Sequence, residues 1–220
     1  MENKTAWEKY KAKDLKELER VNEGYKKFLD DGKTERECVK QTIAMAKAAG
    51  YVELDEALKK GAPKEGGKYY TVCMGKTLAL FRMGSEDLTC GMNILGAHID
   101  SPRLDVKQNP LYETDGLAYL DTHYYGGIKK YQWITQPMAI HGTVAMKDGS
   151  CKDVRIGEDE TDPVFCFTDL LIHLSAERQQ KKAADVITGE GLDLLIGNRP
   201  LAKSKLSKDE KEAVKANVGG

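Results

Sequence analysis

His98 and Asp100 lie two residues apart in the segment Asn93-Ile-Leu-Gly-Ala-His-Ile-Asp-Ser-Pro102. Alternate side chains of an extended chain point the same way, so this imidazole and this carboxylate would lie side by side. The imidazole can bind a metal ion through one ring nitrogen, and the nearby carboxylate can orient that ligand. Because a catalytic zinc ion normally has three protein ligands, the pair would form part of a metal site.

The element that positions this pair is expected to be a buried strand at about residues 91–99. Its apolar run leads directly into the histidine, and Pro102 ends the strand because proline has no N–H to donate to a sheet. Ligands at the carboxyl end of a strand are typical of the sites of open α/β sheets. A bare His-x-Asp triplet is common by chance, so this context is what makes it a candidate.

The surroundings of the other three histidines predict secondary structure. The spacing of Leu170, Leu171, Leu174 and Arg178 predicts a helix over residues 167–184, which would carry His173 at a buried or half-buried position. His123 and His141 lie on strand-like runs, where alternation predicts one face of a β-structure. From the residues alone, all three are interpreted as structural.

Composition excludes several classes of function. The 220 residues are 40% hydrophobic and 31% charged with a net charge of -1, which argues against general nucleic-acid binding or a membrane-surface role. No secretory signal is visible, and no apolar run approaches the ~18 residues of a membrane span. The five cysteines are scattered without a Cys-x-x-Cys pair, none is singled out as a nucleophile, and a reduced cytoplasmic compartment is expected.

The first hundred residues predict helices followed by strands. An amphipathic helix is expected over residues 5–30, and a second helix should begin at Thr34, with Glu37 completing a capping box, and stop at Gly50. Two β-rich runs, 68–73 and 77–83, surround a Met-Gly-Lys turn and predict a β-hairpin. One helical layer followed by strands favours a mixed α/β sheet domain.

The middle of the chain predicts a β-rich insertion in this α/β parent. Short strand-like runs alternate with turn signals such as Asn109-Pro110, and no convincing helix interrupts them. A lysine-rich stretch closes the sequence. The predicted strands are residues 103–107, 116–125, 138–146, 153–156 and, after the predicted helix, 192–196.

Longer motifs resemble those of the M18 family of zinc metalloaminopeptidases. The most specific is Gly96-Ala-His-Ile-Asp-Ser-Pro-Arg-Leu-Asp-Val-Lys-Gln-Asn-Pro-Leu111, which is similar to the start of the family's catalytic domain. Other matches follow in the family's order along nearly the whole chain. They are Gly66-Gly-Lys-Tyr-Tyr70, Tyr125-Gly-Gly127 with Trp133, Leu171-Ile-His-Leu174, and Gly191-Leu-Asp-Leu-Leu-Ile-Gly197 with Arg199-Pro-Leu201.

The resemblance implies a role for each candidate residue. His98 matches a histidine that binds one zinc ion of a two-zinc site, with other divalent metals left open. Asp100 matches the aspartate thought to hydrogen-bond that histidine. His173 matches a histidine that reaches a neighbouring subunit's active site, near the metal or as a donor to the substrate. The resemblance thus assigns catalytic roles to Asp100 and His173 and metal contacts to His98 and His173.

The same resemblance implies a domain plan and partners. Residues 1–102 would be the N-terminal part of the catalytic α/β domain, 103–166 an all-β dimerisation insertion, and 167–220 a return segment. The expected partners are a peptide substrate and further copies of the chain bound through the insertion, with neither nucleic acid nor membrane. The expected reaction is zinc-dependent removal of N-terminal residues from peptides.

Two departures from the family pattern shape the alternatives. The family's remaining carboxylate and histidine ligands fall beyond residue 220, so an N-terminal fragment that is inactive alone is expected. The segment Lys130-Tyr-Gln-Trp-Ile-Thr-Gln-Pro137 lacks the family's charged residues, which favours the broader aminopeptidase I branch. The rival hypotheses are a non-catalytic oligomerising or regulatory relic, and a single metal site with a non-hydrolytic use.

Overall fold

A computed structural model describes residues 4–61 and 63–199. These residues form two compact units, one ending at Ser101 and one starting at Pro102. The lysine-rich end of the sequence, which is the part of the predicted return segment from residue 200 onward, lies outside the described residues. No helix in the described ranges has the length and apolar character that a bilayer span requires.

The first unit combines three helices with a small sheet. Strand order in the sheet is β1-β2-β3, with β1 parallel to β2 and β3 antiparallel to it. The predicted hairpin is confirmed, with Met74 and Gly75 at positive φ in its turn. The elements are α1 (Ala12–Asp31), α2 (Glu35–Ala48), β1 (Val52–Glu53), α3 (Leu54–Lys59), β2 (Lys68–Cys73) and β3 (Thr77–Arg82).

The helix α2 is capped as the sequence predicts. The Glu37 backbone N–H donates to Thr34 Oγ1 at 3.3 Å, and the Glu37 carboxylate accepts the Thr34 N–H at 2.9 Å. The first helix, in contrast, begins later than predicted, at Ala12 instead of residue 5. In its first turn, the Asp14 carboxylate accepts the backbone N–H of Lys11, the residue before the helix, and so satisfies a donor near the helix terminus.

The second unit is β-rich. A four-stranded sheet has the order β4-β5-β9-β8, and β6 pairs with β7 in a separate antiparallel ribbon. Asp115 and Gly116 form the two-residue turn between β4 and β5, both with positive φ. The strands are β4 (Arg103–Thr114), β5 (Leu117–Tyr125), β6 (Ile140–Ala145), β7 (Cys151–Ile156), β8 (Cys166–Phe167) and β9 (Leu194–Gly197), and two short helices are α4 (Lys130–Trp133) and α5 (Ala176–Gln179).

A compact apolar core holds the second unit together. Leu192 is fully buried, and four other buried side chains pack with it: Phe165, Phe167, Ile187 and Leu194. The mixed α/β class predicted from the sequence is confirmed, since helices and several sheets occur together. The prediction that no helix interrupts the strands is wrong, because α4, a single helical turn, lies between β5 and β6.

The strand predicted at residues 91–99 is wrong. These residues belong to no helix or strand and pair with no strand among the described residues. Ile94 and Leu95 are 80% and 100% exposed. A strand needs a neighbouring strand to hydrogen-bond with, and its apolar side chains need a surface that covers them. The described part of the chain provides neither a neighbouring strand nor a covering surface for residues 91–99.

The helix predicted over residues 167–184 is also wrong. The chain instead forms β8, a 3-10 turn at Ile172–Leu174, and the single helical turn of α5. The apolar residues behind the prediction have no core to pack against, since Leu171 and Leu174 are 71% and 69% exposed. The turn predicted at Asn109-Pro110 lies inside β4, at a register shift where a proline costs no sheet hydrogen bond.

Candidate metal-binding segment and its surroundings

The His98 side chain folds back onto Asp100. Its Nδ1 atom lies 2.9 Å from the Asp100 carbonyl oxygen and 3.1 Å from the carboxylate oxygen Oδ1. Both of these atoms are acceptors, so Nδ1 carries the proton and donates it to them. In the neutral ring, the lone pair is then on Nε2, which is the form that binds a metal ion. The sequence prediction that these two side chains meet is therefore matched by this contact.

The pair is open to solvent. The His98 side chain is 83% exposed and the Asp100 side chain 37% exposed. A histidine that ligates zinc almost always donates its other ring N–H to a carboxylate or a carbonyl, and His98 makes both contacts. His98 and its orienting partner Asp100 therefore fit a zinc site, but together they supply a single metal ligand, the Nε2 atom of His98. Within residues 4–61 and 63–199, no group of three or more His, Cys, Asp and Glu is placed to hold a metal.

His173 occupies an exposed 3-10 turn, not a buried helix position. It lies within Ile172–Leu174, next to the exposed Leu171 and Ile172. Its side chain makes no hydrogen bond to another described residue. The structural interpretation drawn from the residues, a half-buried helical histidine, is therefore wrong, because no packing surface covers this part of the chain within the second unit.

The other two histidines are held by the strands that were predicted to carry them. The His141 side chain on β6 is 8% exposed, and its Nε2 lies 2.8 Å from Glu158 Oε1. His123 on β5 is exposed, with Nδ1 3.4 Å from the Tyr124 carbonyl oxygen. Neither belongs to a metal-binding group in the described part of the chain.

Sequence analysis missed a set of polar contacts that fix the segment before β9. Tyr112 donates its hydroxyl hydrogen to Asp193 Oδ2 at 2.6 Å, and Lys107 bridges Asp121 and Glu190 at 2.8 and 2.6 Å. Burial, and then the Asp193 carboxylate, raise the pKa of Tyr112. The Tyr112–Asp193 and Lys107–Glu190 pairs join residues about 80 apart in sequence. No local pattern could have revealed them, because sequence periodicity reports on neighbours within one element.

An apolar cavity of about 330 Å³ lies between the sheets of the second unit. Its polar groups already have partners: Thr122 donates to the Leu192 carbonyl at 2.5 Å, Asp105 pairs with Arg103, and His141 contacts Glu158. The rest of the lining is mostly aliphatic. With no convergent polar groups left to orient a ligand, the cavity is not a candidate active site.

Comparison with known families gives a match along most of the chain. Residues 28–218 match the family described as Aminopeptidase I zinc metalloprotease (M18). A curated relative from Clostridium acetobutylicum, "Probable M18 family aminopeptidase 1", is 52% identical over 218 residues, covering 99% of this chain and 46% of that protein. The chain thus spans under half the length of this relative.

Solved structures give the same result for the fold. An M18 aminopeptidase from Thermotoga maritima superposes with a TM-score of 0.83 at 40% identity, covering 97% of this chain and 45% of that one. Aminopeptidase I from Clostridium acetobutylicum gives 0.79 at 47% identity, covering 99% and 47%. A yeast mApe1 dodecamer shares the fold alone, with a TM-score of 0.60 at 19% identity over 85% of this chain and 40% of that one. From the family match and the folded architecture together, the chain belongs to the M18 family of aminopeptidase I zinc metalloproteases.

Proposed function

We propose that this chain supplies one part of the zinc site of an M18 aminopeptidase, which removes N-terminal residues from peptides. The observation that carries the proposal is the contact of His98 Nδ1 with the Asp100 carbonyl and carboxylate oxygens. In the neutral ring, that contact leaves the Nε2 lone pair of an exposed imidazole available to a metal ion, as in zinc enzymes. His98 would hold one zinc ion, and a complete site would hold two.

A zinc ion bound there would polarise the scissile carbonyl and lower the pKa of a water molecule. The chain's own residues would do the rest. His98 presents Nε2 and is exposed, so substrate and metal can reach it. Asp100 holds the Nδ1 proton, which fixes the tautomer and the ring orientation and raises the basicity of Nε2.

We propose that His173 acts across a subunit boundary, on the metal site or the substrate of a neighbouring copy. Its exposure on a turn flanked by exposed leucines supports a role outside its own unit. Residues 103–166 would form the dimerisation insertion, and residues 1–102 and 167–220 the catalytic part and its return segment. A homo-oligomer fits the yeast relative, which is described as a dodecamer. The five unpaired cysteines fit a reducing, cytoplasmic setting.

The test joins this chain covalently to the part of the Clostridium acetobutylicum relative that lies beyond its matched 218 residues. The chimera should bind zinc, measured by mass spectrometry of the metal, and hydrolyse aminoacyl-nitroanilides. His98→Ala should remove one zinc ion per subunit and lower kcat/KM by about three orders of magnitude or more, as loss of a catalytic metal requires. The 220 residues alone should bind less than two zinc ions and show no turnover.

The matched control is His123→Ala, which removes an exposed histidine on β5. It should leave zinc content and turnover of the chimera unchanged. Equal zinc content in the His98→Ala and parent chimeras would contradict the proposal. So would turnover by the 220 residues alone that equals turnover by the full-length relative.

A second candidate function is oligomerisation without catalysis. It would need only the β-rich unit, which has a buried core of its own around Leu192. In that case, a chimera of correct oligomeric state would bind no zinc at His98. The parent chimera's metal content therefore separates the two candidates.

A further inference from the structure

The turn that carries His173 is held by polar contacts within its own segment. His173 lies at the centre of the 3-10 turn Ile172–Leu174, whose Leu174 N–H donates to the Leu171 carbonyl at 2.8 Å. The His173 side chain itself makes no hydrogen bond to another described residue. The position of the imidazole is therefore set by the backbone of the turn and by whatever holds that backbone.

The carbonyl of the residue before His173 accepts hydrogen bonds from two later residues. Ser175 donates to the Ile172 oxygen from its backbone N–H at 3.3 Å and from its hydroxyl at 3.1 Å. The Gln179 side-chain amide donates to Ser175 Oγ at 2.7 Å and lies 3.5 Å from the same Ile172 oxygen. Because this carbonyl and the His173 N–H belong to one planar peptide group, these contacts fix the plane from which His173 projects.

An ion pair closes the segment around the turn. The Arg178 guanidinium donates to Asp169 Oδ1, which also accepts the Leu170 N–H at 2.7 Å. Both side chains are partly exposed, so the pair contributes little to overall stability. It joins residues nine apart on either side of His173 and restricts the chain between them. We call the four side chains of Asp169, Ser175, Arg178 and Gln179 the His173 brace.

Such contacts are what a catalytic side chain on a loop requires. A group of this kind must be held within about 0.5 Å of its productive position, and a misplacement of about 1 Å can lower the rate about 100-fold. We propose that the His173 brace positions His173 for its action on the metal site or the substrate of a neighbouring copy. The inference rests on the proposed function for the role of His173. The brace residues are positioning residues, because they act through His173.

The first experiment measures the brace in the 220-residue chain by nitrogen-15 relaxation. The backbone order parameter of His173 should be near the value of about 0.85 that rigid backbone gives, and Gln179→Leu should lower it below about 0.6. Arg178→Ala should lower it as well, while Arg178→Lys, which keeps the charge beside Asp169, should retain most of it. The matched control is Gln180→Leu, the same change one residue later, at a side chain without a hydrogen bond to a described residue. It should leave the order parameter unchanged.

The second experiment measures turnover in the chimera with the Clostridium acetobutylicum segment. Gln179→Leu should lower kcat for aminoacyl-nitroanilides by about tenfold or more and change KM by less than about twofold, because a misplaced His173 loses an interaction made in the transition state. Gln180→Leu should leave kcat unchanged. In a His173→Ala chimera, Gln179→Leu should change kcat by less than about twofold, because its effect passes through His173. A merely structural role would lower kcat in both backgrounds.

Three outcomes would overturn the proposal: an unchanged His173 order parameter in Gln179→Leu, equal losses of kcat from Gln179→Leu with and without His173, or the same losses from Gln180→Leu. Full turnover by the His173→Ala chimera would contradict the proposed role of His173, and this inference with it. The order parameters separate the two failures, because they need no activity. A lowered order parameter beside full turnover contradicts the role of His173, and an unchanged one contradicts the brace.

Discussion

Leu192 and Leu95 are the same residue type, yet the first is fully buried and the second is fully exposed. Around Leu192, side chains from β4 and β5 hold the chain: Thr122 donates to the Leu192 carbonyl oxygen, and Tyr112 donates to the carboxylate of the next residue, Asp193. Around Leu95, no helix or strand holds the chain. The buried core around Leu192 thus contains no proposed metal ligand, and the proposed zinc ligand follows an exposed segment that belongs to no helix or strand.

The largest expected effect tests this separation directly. Leu192→Ala removes a fully buried side chain and leaves a cavity in the core of the β-rich unit, which should cost about 2–5 kcal/mol of unfolding free energy. Leu95→Ala should change that free energy by less than about 0.5 kcal/mol, because exposed side chains contribute little. Urea unfolding of the 220-residue chain measures both, and similar losses for the two variants would contradict the comparison.

A smaller effect is expected from the polar contact beside Leu192. Tyr112→Phe leaves Asp193 Oδ2 without its donor, next to Oδ1, which is buried and has no protein partner among the described residues. The loss should be about 1–3 kcal/mol. An effect within error of zero would show that solvent, not Tyr112, satisfies this carboxylate.

The same contact predicts a dependence on alkaline pH. Because burial and Asp193 raise the pKa of Tyr112 above its unfolded value of about 10, its contribution is complete below pH ~10. It is then lost as the pH rises through the folded pKa. Urea midpoints measured between pH 8 and pH 11 should fall more steeply for the parent chain than for Tyr112→Phe, and parallel curves would contradict this assignment.

In the exposed segment, the expected effect is on metal binding and not on folding. Asp100→Asn keeps a side-chain oxygen but loses the charge that favours the Nδ1–H form of His98, so zinc affinity should fall by about 10–100-fold. The affinity is measured in the chimera with a competing chelator. The unfolding free energy of the 220-residue chain should stay unchanged. If Asp100→Asn lowered the unfolding free energy and left zinc affinity unchanged, Asp100 would serve folding and not metal binding, which would contradict this prediction.

The smallest expected effect concerns the loop after β7. Asp162 accepts the backbone N–H groups of Gly157 and Asp159, and these bonds lower the pKa of its carboxyl group. The stability it adds is therefore present above the unfolded pKa of about 3.9 and is lost as the pH falls through the lower folded value. Asp162→Asn should lower the urea midpoint slightly at pH 7 and reduce its fall between pH 5 and pH 3. A larger change than that of Tyr112→Phe would be unexpected.

Local structure was predictable where neighbouring residues decide it. The Thr34 cap, the Met74-Gly75 turn and the pairing of β2 with β3 follow from side chains within a few residues of each other. The contact between His98 and Asp100 also joins residues two apart, although the strand whose alternation predicted it does not form. Most of the secondary structure in the first unit could therefore be derived from sequence.

The errors occur where burial decides the outcome. Residues 91–99 and 167–184 have the apolar patterns of a strand and a helix, but a pattern becomes an element only when another surface covers it. Ile94 and Leu171 are exposed, so both predicted elements are absent from the described chain. The Tyr112–Asp193 contact was unpredictable for a different reason, since it joins residues 81 apart.

The most direct test of the zinc-ligand assignment is nuclear magnetic resonance of the histidine ring nitrogens in the 220-residue chain. The assignment predicts that neutral His98 has its proton on Nδ1 in this chain, and that added zinc shifts its Nε2 resonance in the chimera while the resonances of His123 stay in place. A proton on Nε2 of neutral His98, or a zinc titration of the chimera that leaves its ring nitrogens unmoved, would contradict the assignment.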